Sequence, residues 1–286
     1  MAKVLQATVV KSFIPPRKSS SRKGDNGKVL VLGGSYLYHG APILSSNAAL
    51  RAGADLVYTC VPKINVVSTR AFSPNLIVVP LVDSKLTRGA VQKLLGIIPK
   101  ELDSATIGMG LGIQDKEALK ILVKSLLDRA IMISLDASSL ISEILPEIKD
   151  KKVVVTPHAG EFKRMFGEMP SDNIKQRTTL VQKHAKENGV TILLKGPTDI
   201  VSDGDQTYLN PKNLAAMTVG GTGDVLSGIV ATMLSKNKNP IQAASAAVFV
   251  NGKAGFLAQK KNGLHIVATD LLDFIPTAMK PFDKVK

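Results

Sequence analysis

The chain has 286 residues, 44% of them hydrophobic, and a formal net charge of +14. That length and apolar share suit one large α/β domain or two small ones. A single cysteine, Cys60, excludes an intrachain disulfide and points to a reducing compartment. The opening residues lack the apolar core of a signal peptide, and no apolar run approaches membrane-spanning length, so a cytoplasmic protein with no membrane partner is expected. The charge would suit a nucleic-acid binder. However, the basic residues are dispersed, their densest stretch (Arg17 to Lys23) is short, and aromatics are 4% with no tryptophan, which leaves few platforms for base stacking. Attraction of a polyanionic nucleotide accounts for the charge as well, and no nucleic-acid partner is expected.

Residues 1–27 read as an N-terminal arm ending in the turn Gly24-Asp25-Asn26-Gly27. From there strand and helix signals alternate. Residues 28–32 read as a strand buried on both faces, marked by the unbroken apolar run 29–32. Pro42 suits the first position of a helix that Gly53 ends. Strands are predicted over 56–61, 76–80, 105–107, 131–135, 153–155 and 191–194. Asp115 caps a helix whose Leu119, Leu122, Val123 and Leu126 share one side, and a second helix runs from about 173 to 187, ending at Asn188-Gly189. Residues 199–201 and 207–209 read as a hairpin around Asp203-Gly204-Asp205, and helices are predicted over 221–235, 240–259 and 270–280. The alternation implies a mostly parallel sheet covered by helices on both faces.

The most informative stretch is Gly220-Gly221-Thr222-Gly223-Asp224. It reads as a glycine-rich turn opening a helix, with Leu226, Ile229, Val230, Met233 and Leu234 at helical spacing behind it. Free backbone N–H groups at such a start attract an anion. A carboxylate there would repel a phosphate, yet it makes sense if Asp224 accepts a proton from a hydroxyl while the amides hold the phosphoryl group that the hydroxyl attacks. A glycine turn with an Asp helix cap explains the same residues structurally; three glycines and a threonine in the four residues before Asp224 favour the chemical reading.

Other motifs fall just after predicted strands, where open parallel sheets gather ligands. Gly33-Gly34-Ser35 is neither a dinucleotide fingerprint nor a Walker A loop. Gly108-Met109-Gly110-Leu111-Gly112 permits backbone to approach a flat ligand, though a turn explains it nearly as well. In Thr156-Pro157-His158-Ala159-Gly160-Glu161, Glu161 can hold Mg²⁺ through water, or it can close a capping box with Thr156 or His158. Asp136 is a second acid or a cap, and Lys195-Gly196-Pro197-Thr198-Asp199 suits a nucleotide contact or solvated surface. The four histidines and Cys60 have no zinc spacing, and there is no nucleophile elbow.

Read in order, these blocks resemble the ADP/ATP-dependent NAD(P)H-hydrate dehydratases over nearly the whole chain. The match begins at Arg22-Lys23-Gly24-Asp25-Asn26-Gly27-Lys28 with the strand and Gly33-Gly34-Ser35 behind it, and passes through Gly40-Ala41 and Ala48-Ala49-Leu50-Arg51-Ala52-Gly53. It continues through the 108–112, 156–162, 194–196 and 220–226 blocks to Ala268-Thr269-Asp270. The resemblance implies the ribokinase-like fold, a three-layer α/β/α sandwich occupying residues 28–286, and repair of hydrated NADH and NADPH (NADHX and NADPHX). The ring hydroxyl is phosphorylated and phosphate is then expelled. It further implies Asp224 as the base that also contacts substrate, and Gly220, Gly221, Thr222 and Gly223 as the phosphoryl cradle. Lys195, Gly196, Pro197, Thr198 and Asp199 would contact the adenine nucleotide, Ala41, Gly110 and His158 would line the nicotinamide pocket, and Glu161 would position Mg²⁺.

The chain departs from the family at Asp136-Ala137-Ser138-Ser139-Leu140, at Asn213-Leu214-Ala215-Ala216-Met217 and at Ala159. The short arm leaves no room for the epimerase domain that many relatives carry, so a separate epimerase is expected as a pathway partner. The family also implies a homo-oligomer, and the glycine motif resembles the microbial, ADP-using branch. The competing reading within the same superfamily is a small-molecule kinase of the hydroxyethylthiazole or hydroxymethylpyrimidine type.

Overall fold

A computed structural model describes residues 2–211 and 214–286. In chain order the strands and α-helices are β1 (Lys3–Val4), α1 (Ala7–Phe13), β2 (Lys28–Leu32), α2 (Gly40–Arg51), β3 (Leu56–Pro62), α3 (Val66–Phe72), β4 (Ile77–Leu81), α4 (Arg88–Ile97), β5 (Ser104–Ile107), α5 (Lys116–Asp128) and β6 (Met132–Leu135). They continue with α6 (Leu145–Ile148), β7 (Val153–Val155), α7 (Ala159–Phe166), α8 (Ile174–Asn188), β8 (Thr191–Leu194), β9 (Thr198–Ser202), β10 (Thr207–Pro211), α9 (Thr222–Lys236), α10 (Pro240–Asn262) and α11 (Ala268–Met279).

Among the described residues the strands form one sheet in the order β1-β10-β9-β8-β7-β6-β5-β2-β3-β4. From β4 across to β8 every pairing is parallel, and only the β8–β9–β10 meander is antiparallel. The unbroken apolar strands are explained by burial on both faces. In β2, Leu30 and Leu32 pack into the core under α4, α5 and α8, whereas Val29 and Val31 face α2 and α9. The opposite helical layer is built on α1, α9, α10 and α11. Gly228 in α9 lies so close to the Ser45 carbonyl of α2 that no Cβ fits, so this small-residue face packs helix on helix.

The chain winds outward from β2 through β3 to β4, then returns to the other side of β2 at β5 and proceeds to β8. The reversal leaves a crevice at the C-terminal ends of β2 and β5, where doubly wound sheets bind ligands. Both glycine turns meet there: Gly34 N donates to the Met109 carbonyl at 2.9 Å, and Gly33 N donates to that of Cys60 at 3.2 Å.

Several element bounds differ from the sequence reading, the start of α2 among them. Gly40 opens α2, so Pro42 is the third helical residue; it stays within the first turn, where a missing N–H costs nothing. The N-terminal arm is docked on the sheet and on the α10–α11 layer. β1 pairs in parallel with β10, and Val10 and Phe13 of α1 are buried in the α10–α11 core.

Candidate active site

Asp224 occupies the first turn of α9, which Gly221 caps at φ +94. This left-handed backbone favours glycine. A Cβ at Gly221 would also stand 2.7 Å from Ala268 Cβ and 2.8 Å from Leu44 Cδ1. The turn is therefore clamped between α2 and α11, and the helix start is fixed in place. Thr222 Oγ1 bonds back to the Met217 carbonyl at 3.1 Å, closing the loop before it.

Facing this turn is Lys195, at the C-terminal end of β8. Its Nζ lies 3.5 Å from where a Cβ on Gly223 would be, so the ammonium stands over the helix N-terminus. Lys195 Nζ donates to Asp136 Oδ1 at 2.8 Å and is 3.6 Å from Glu161 Oε2. Asp136, at the end of β6, is only 2% exposed and also accepts from Thr156 Oγ1 at 2.9 Å and Ser227 Oγ at 2.5 Å. Sequence reasoning left Asp136 as a cap or a second acid. The structure makes it the anchor of Lys195, a role legible only once β6 and β8 are set in one sheet.

The charges sort themselves by environment. Burial drives the Asp136 carboxyl up, but the Lys195 charge and the three donors outweigh it and hold Asp136 below the usual carboxylate range. Burial opposes the Lys195 charge, but Asp136 and Glu161 outweigh it and keep the ammonium charged. Asp224 has the reverse fate. Burial, then the charges of Asp136 and Glu161, push its carboxyl up to about 7 against the pull of Lys195. Among the described residues no side chain hydrogen-bonds to Asp224. A carboxyl raised toward neutrality is suited to general-base chemistry.

His158 is the N-cap of α7. Its Nδ1 accepts from Gly160 N at 3.0 Å and Glu161 N at 3.3 Å, while Glu161 Oε2 accepts from His158 N at 2.9 Å. The capping box therefore forms. Glu161 nevertheless turns the same carboxylate toward Lys195, so cap and site share one group.

A cavity of about 470 Å³ opens beside this cluster, lined among others by His158, Lys195, Gly196, Pro197, Thr222 and Gly223. Ala41 and Gly110 lie elsewhere along the same sheet edge, at the β2/β5 crevice: a Cβ on Gly110 would be 3.3 Å from that of Ala41. Asp199 does not reach the cavity. It is fully buried in β9, where Oδ1 accepts from Gly196 N at 3.1 Å and Oδ2 from Asn210 Nδ2 at 3.2 Å, so its side chain helps shape the 195–197 turn. Thr198 opens β9, and Gly220 and Gly221 set the backbone of the α9 start without lining the cavity. Of the 213–217 loop, Asn213 lies outside the described residues, while Leu214, Ala215 and Met217 line the cavity.

A mostly parallel sheet between two helical layers, with a carboxylate inside an anion-attracting helix start at its C-terminal edge, defines the ribokinase-like class. A ribokinase-like superfamily protein of Enterococcus faecalis superposes with a TM-score of 0.81 at 26% identity, over 99% of this chain and 96% of that one. The ADP/ATP-dependent NAD(P)H-hydrate dehydratase of Bacillus subtilis, crystallised with ATP and Mg²⁺, gives 0.85 at 27%, over 99% of both chains. The family model described as NAD(P)H-hydrate dehydratase matches residues 29–277, and the chain belongs to that family. It is 67% identical to the ADP-dependent (S)-NAD(P)H-hydrate dehydratase of Nitrosopumilus maritimus over 99% of each sequence. It is 59% identical to the protein of the same name from Cenarchaeum symbiosum, over 100% of this chain and 99% of that protein. A bifunctional NAD(P)H-hydrate repair enzyme of Pyrobaculum aerophilum is 40% identical over 93% of this chain, which spans 53% of that longer protein.

Proposed function

We propose that the protein is an ADP-dependent (S)-NAD(P)H-hydrate dehydratase. The observation that carries the reading is Asp224, with its carboxyl at about 7, in the first turn of the helix over which the Lys195 ammonium stands. Full-length similarity to the two archaeal dehydratases supports the same activity. In this reading Asp224 takes the proton of the ring hydroxyl as that oxygen attacks the terminal phosphorus of ADP, and AMP departs. The α9 amides and Lys195 hold the negative charge that develops on the transferred group. Hydroxide is a poor leaving group and phosphate a good one, so phosphate then departs with the carbon–oxygen electron pair while the neighbouring ring carbon gives up a proton, and the ring double bond is restored.

Lys195, Gly196, Pro197, Thr222 and Gly223 would bind the donor, and Ala41, Gly110 and His158 the hydrated ring. Among the described residues no group of three or more His, Cys, Asp or Glu side chains is placed to chelate a metal. Mg²⁺ keeps most of its water, and Glu161, 3.6 Å from Lys195 Nζ, would hold it through solvent. When bound, Mg²⁺ supplies screening of the donor phosphates.

The same proposal includes an NAD(P)H-hydrate epimerase as a pathway partner, which would act on the hydrate epimer that this site does not take. It also includes a cytoplasmic setting, in keeping with the free buried thiol of Cys60. A homo-oligomer is part of it too, supported by the exposed apolar side chains Ile64, Val67 and Phe72 around α3. The test is to incubate the protein with NADHX, ADP and Mg²⁺ and follow NADH absorbance. Recovery is expected. No recovery with either ADP or ATP overturns the activity, and a stable phosphorylated product without elimination would make the protein a kinase.

A further inference from the structure

We propose that Asn251 reads the 6-amino edge of the donor's adenine, an inference that rests on the ADP-dependent reading and extends it to base specificity. Asn251 lies in α10, is 2% exposed and lines the 470 Å³ cavity. Its Oδ1 is buried with no hydrogen-bond partner among the described residues. The other polar side chains on that wall are already engaged. Thr218 Oγ1 donates to the Ala215 carbonyl and Thr222 Oγ1 to that of Met217; His158 caps α7 and Lys195 is held by Asp136. A buried carboxamide oxygen left unpaired is costly, and such a group in a ligand cavity calls for a donor from the ligand.

The position of Asn251 identifies that donor. The anion-attracting end of the cavity is the α9 start under Lys195. The remaining wall around Asn251 includes Leu214, Ala215, Met217 and Leu226, an apolar lining suited to a flat heterocycle. Gly255, one turn beyond Asn251, has no room for a Cβ because the Met217 side chain lies directly against it. Met217 is thus pressed onto α10 beside the amide, as a platform would be. A carboxamide offers an acceptor and a donor side by side, which matches the 6-amino group and ring nitrogen of adenine. A 6-oxo purine presents an acceptor where adenine presents a donor.

The experiment measures binding of ADP, IDP and purine riboside 5′-diphosphate to the full chain by calorimetry, with no hydrated dinucleotide present. The wild type is expected to bind ADP at least about 10-fold tighter than either analogue, the scale of one buried hydrogen bond. Asn251→Leu should bring ADP down to the level of the purine analogue and leave the analogue unchanged. Its ligand-free Tm should equal or exceed the wild-type value, because an unpaired buried oxygen has been removed. Asn251→Asp keeps an acceptor and should retain the preference for ADP over IDP. Equal binding of all three nucleotides by the wild type overturns the inference, as does an unchanged preference in Asn251→Leu. Failure of the wild type to bind ADP at all overturns instead the reading on which it rests.

Discussion

Lys195 Nζ and Asp136 Oδ1 lie 2.8 Å apart across the ends of β8 and β6, 59 residues apart in sequence, and the pair sets the working state of a third residue. Asp136 takes up part of the Lys195 charge and itself stays ionised, so the Asp224 carboxyl, raised first by burial, is raised further by a carboxylate behind the ammonium. The first prediction concerns pH. The base must be deprotonated to work, so kcat/KM should rise with pH through about 7. Asp136→Asn removes a charge that raises the Asp224 carboxyl, so the acid limb should move to lower pH even as turnover falls. An unmoved limb in a pH–rate profile would separate Asp224 from Asp136.

The second prediction separates chemistry from binding. Asp224→Asn should retain ADP binding and lose at least ~100-fold in turnover, the usual scale for a general base. Stability should move the other way. The folded-state carboxyl titrates near 7 against an ordinary value of 3.8, so the native state binds the extra proton and loses stability as pH rises through that window. Above it, the wild type carries a half-buried charge that the amide lacks. The Tm of Asp224→Asn at pH 8 should equal or exceed that of the wild type, and a lower value would argue against the raised carboxyl.

The third prediction concerns the anchor. Lys195→Met strips the cation from a carboxylate that is 2% exposed. Removing one partner of a buried pair costs roughly 3–5 kcal/mol, and because Lys195 keeps part of its surface in solvent the lower end is expected. Denaturant unfolding measures the loss. Adding Asp136→Asn should recover much of it, whereas independent costs that merely add would show that the pair is not coupled.

The sheet was legible because doubly buried strands write unbroken apolar runs, as in 29–32 and 192–194. The Gly221 turn was legible because glycines stand just before the apolar residues at helical spacing in α9, which sets Asp224 in the first turn. Elements without such signals were not. β1 is two exposed residues that pair only because β10 is there, and α1 has no side-chain cap and buries only Val10 and Phe13. The Asp136–Lys195 pair depends on strand neighbours that no local pattern specifies. Asn251 left a faint signal, a carboxamide amid the buried run Ala243 to Val250, but a helix of that composition reads first as core.

The last prediction sets neighbouring glycines against one another. At Gly221, alanine would meet both a left-handed backbone and the side chains of Ala268 and Leu44, so Gly221→Ala should destabilise the fold by about 1–3 kcal/mol. At Gly220 nothing lies within 4 Å of a Cβ, so Gly220→Ala should leave Tm nearly unchanged. Gly223→Ala meets only Lys195 Nζ, at an ordinary contact distance of 3.5 Å, and its backbone is helical, so the protein should fold normally. The new methyl group would nonetheless stand between the ammonium and the helix start, where the proposed reaction seats the phosphoryl group. Its cost should therefore fall on ADP affinity and turnover while Tm stays put. If Gly223→Ala binds and turns over ADP like the wild type, the phosphoryl group does not pass between Lys195 and α9.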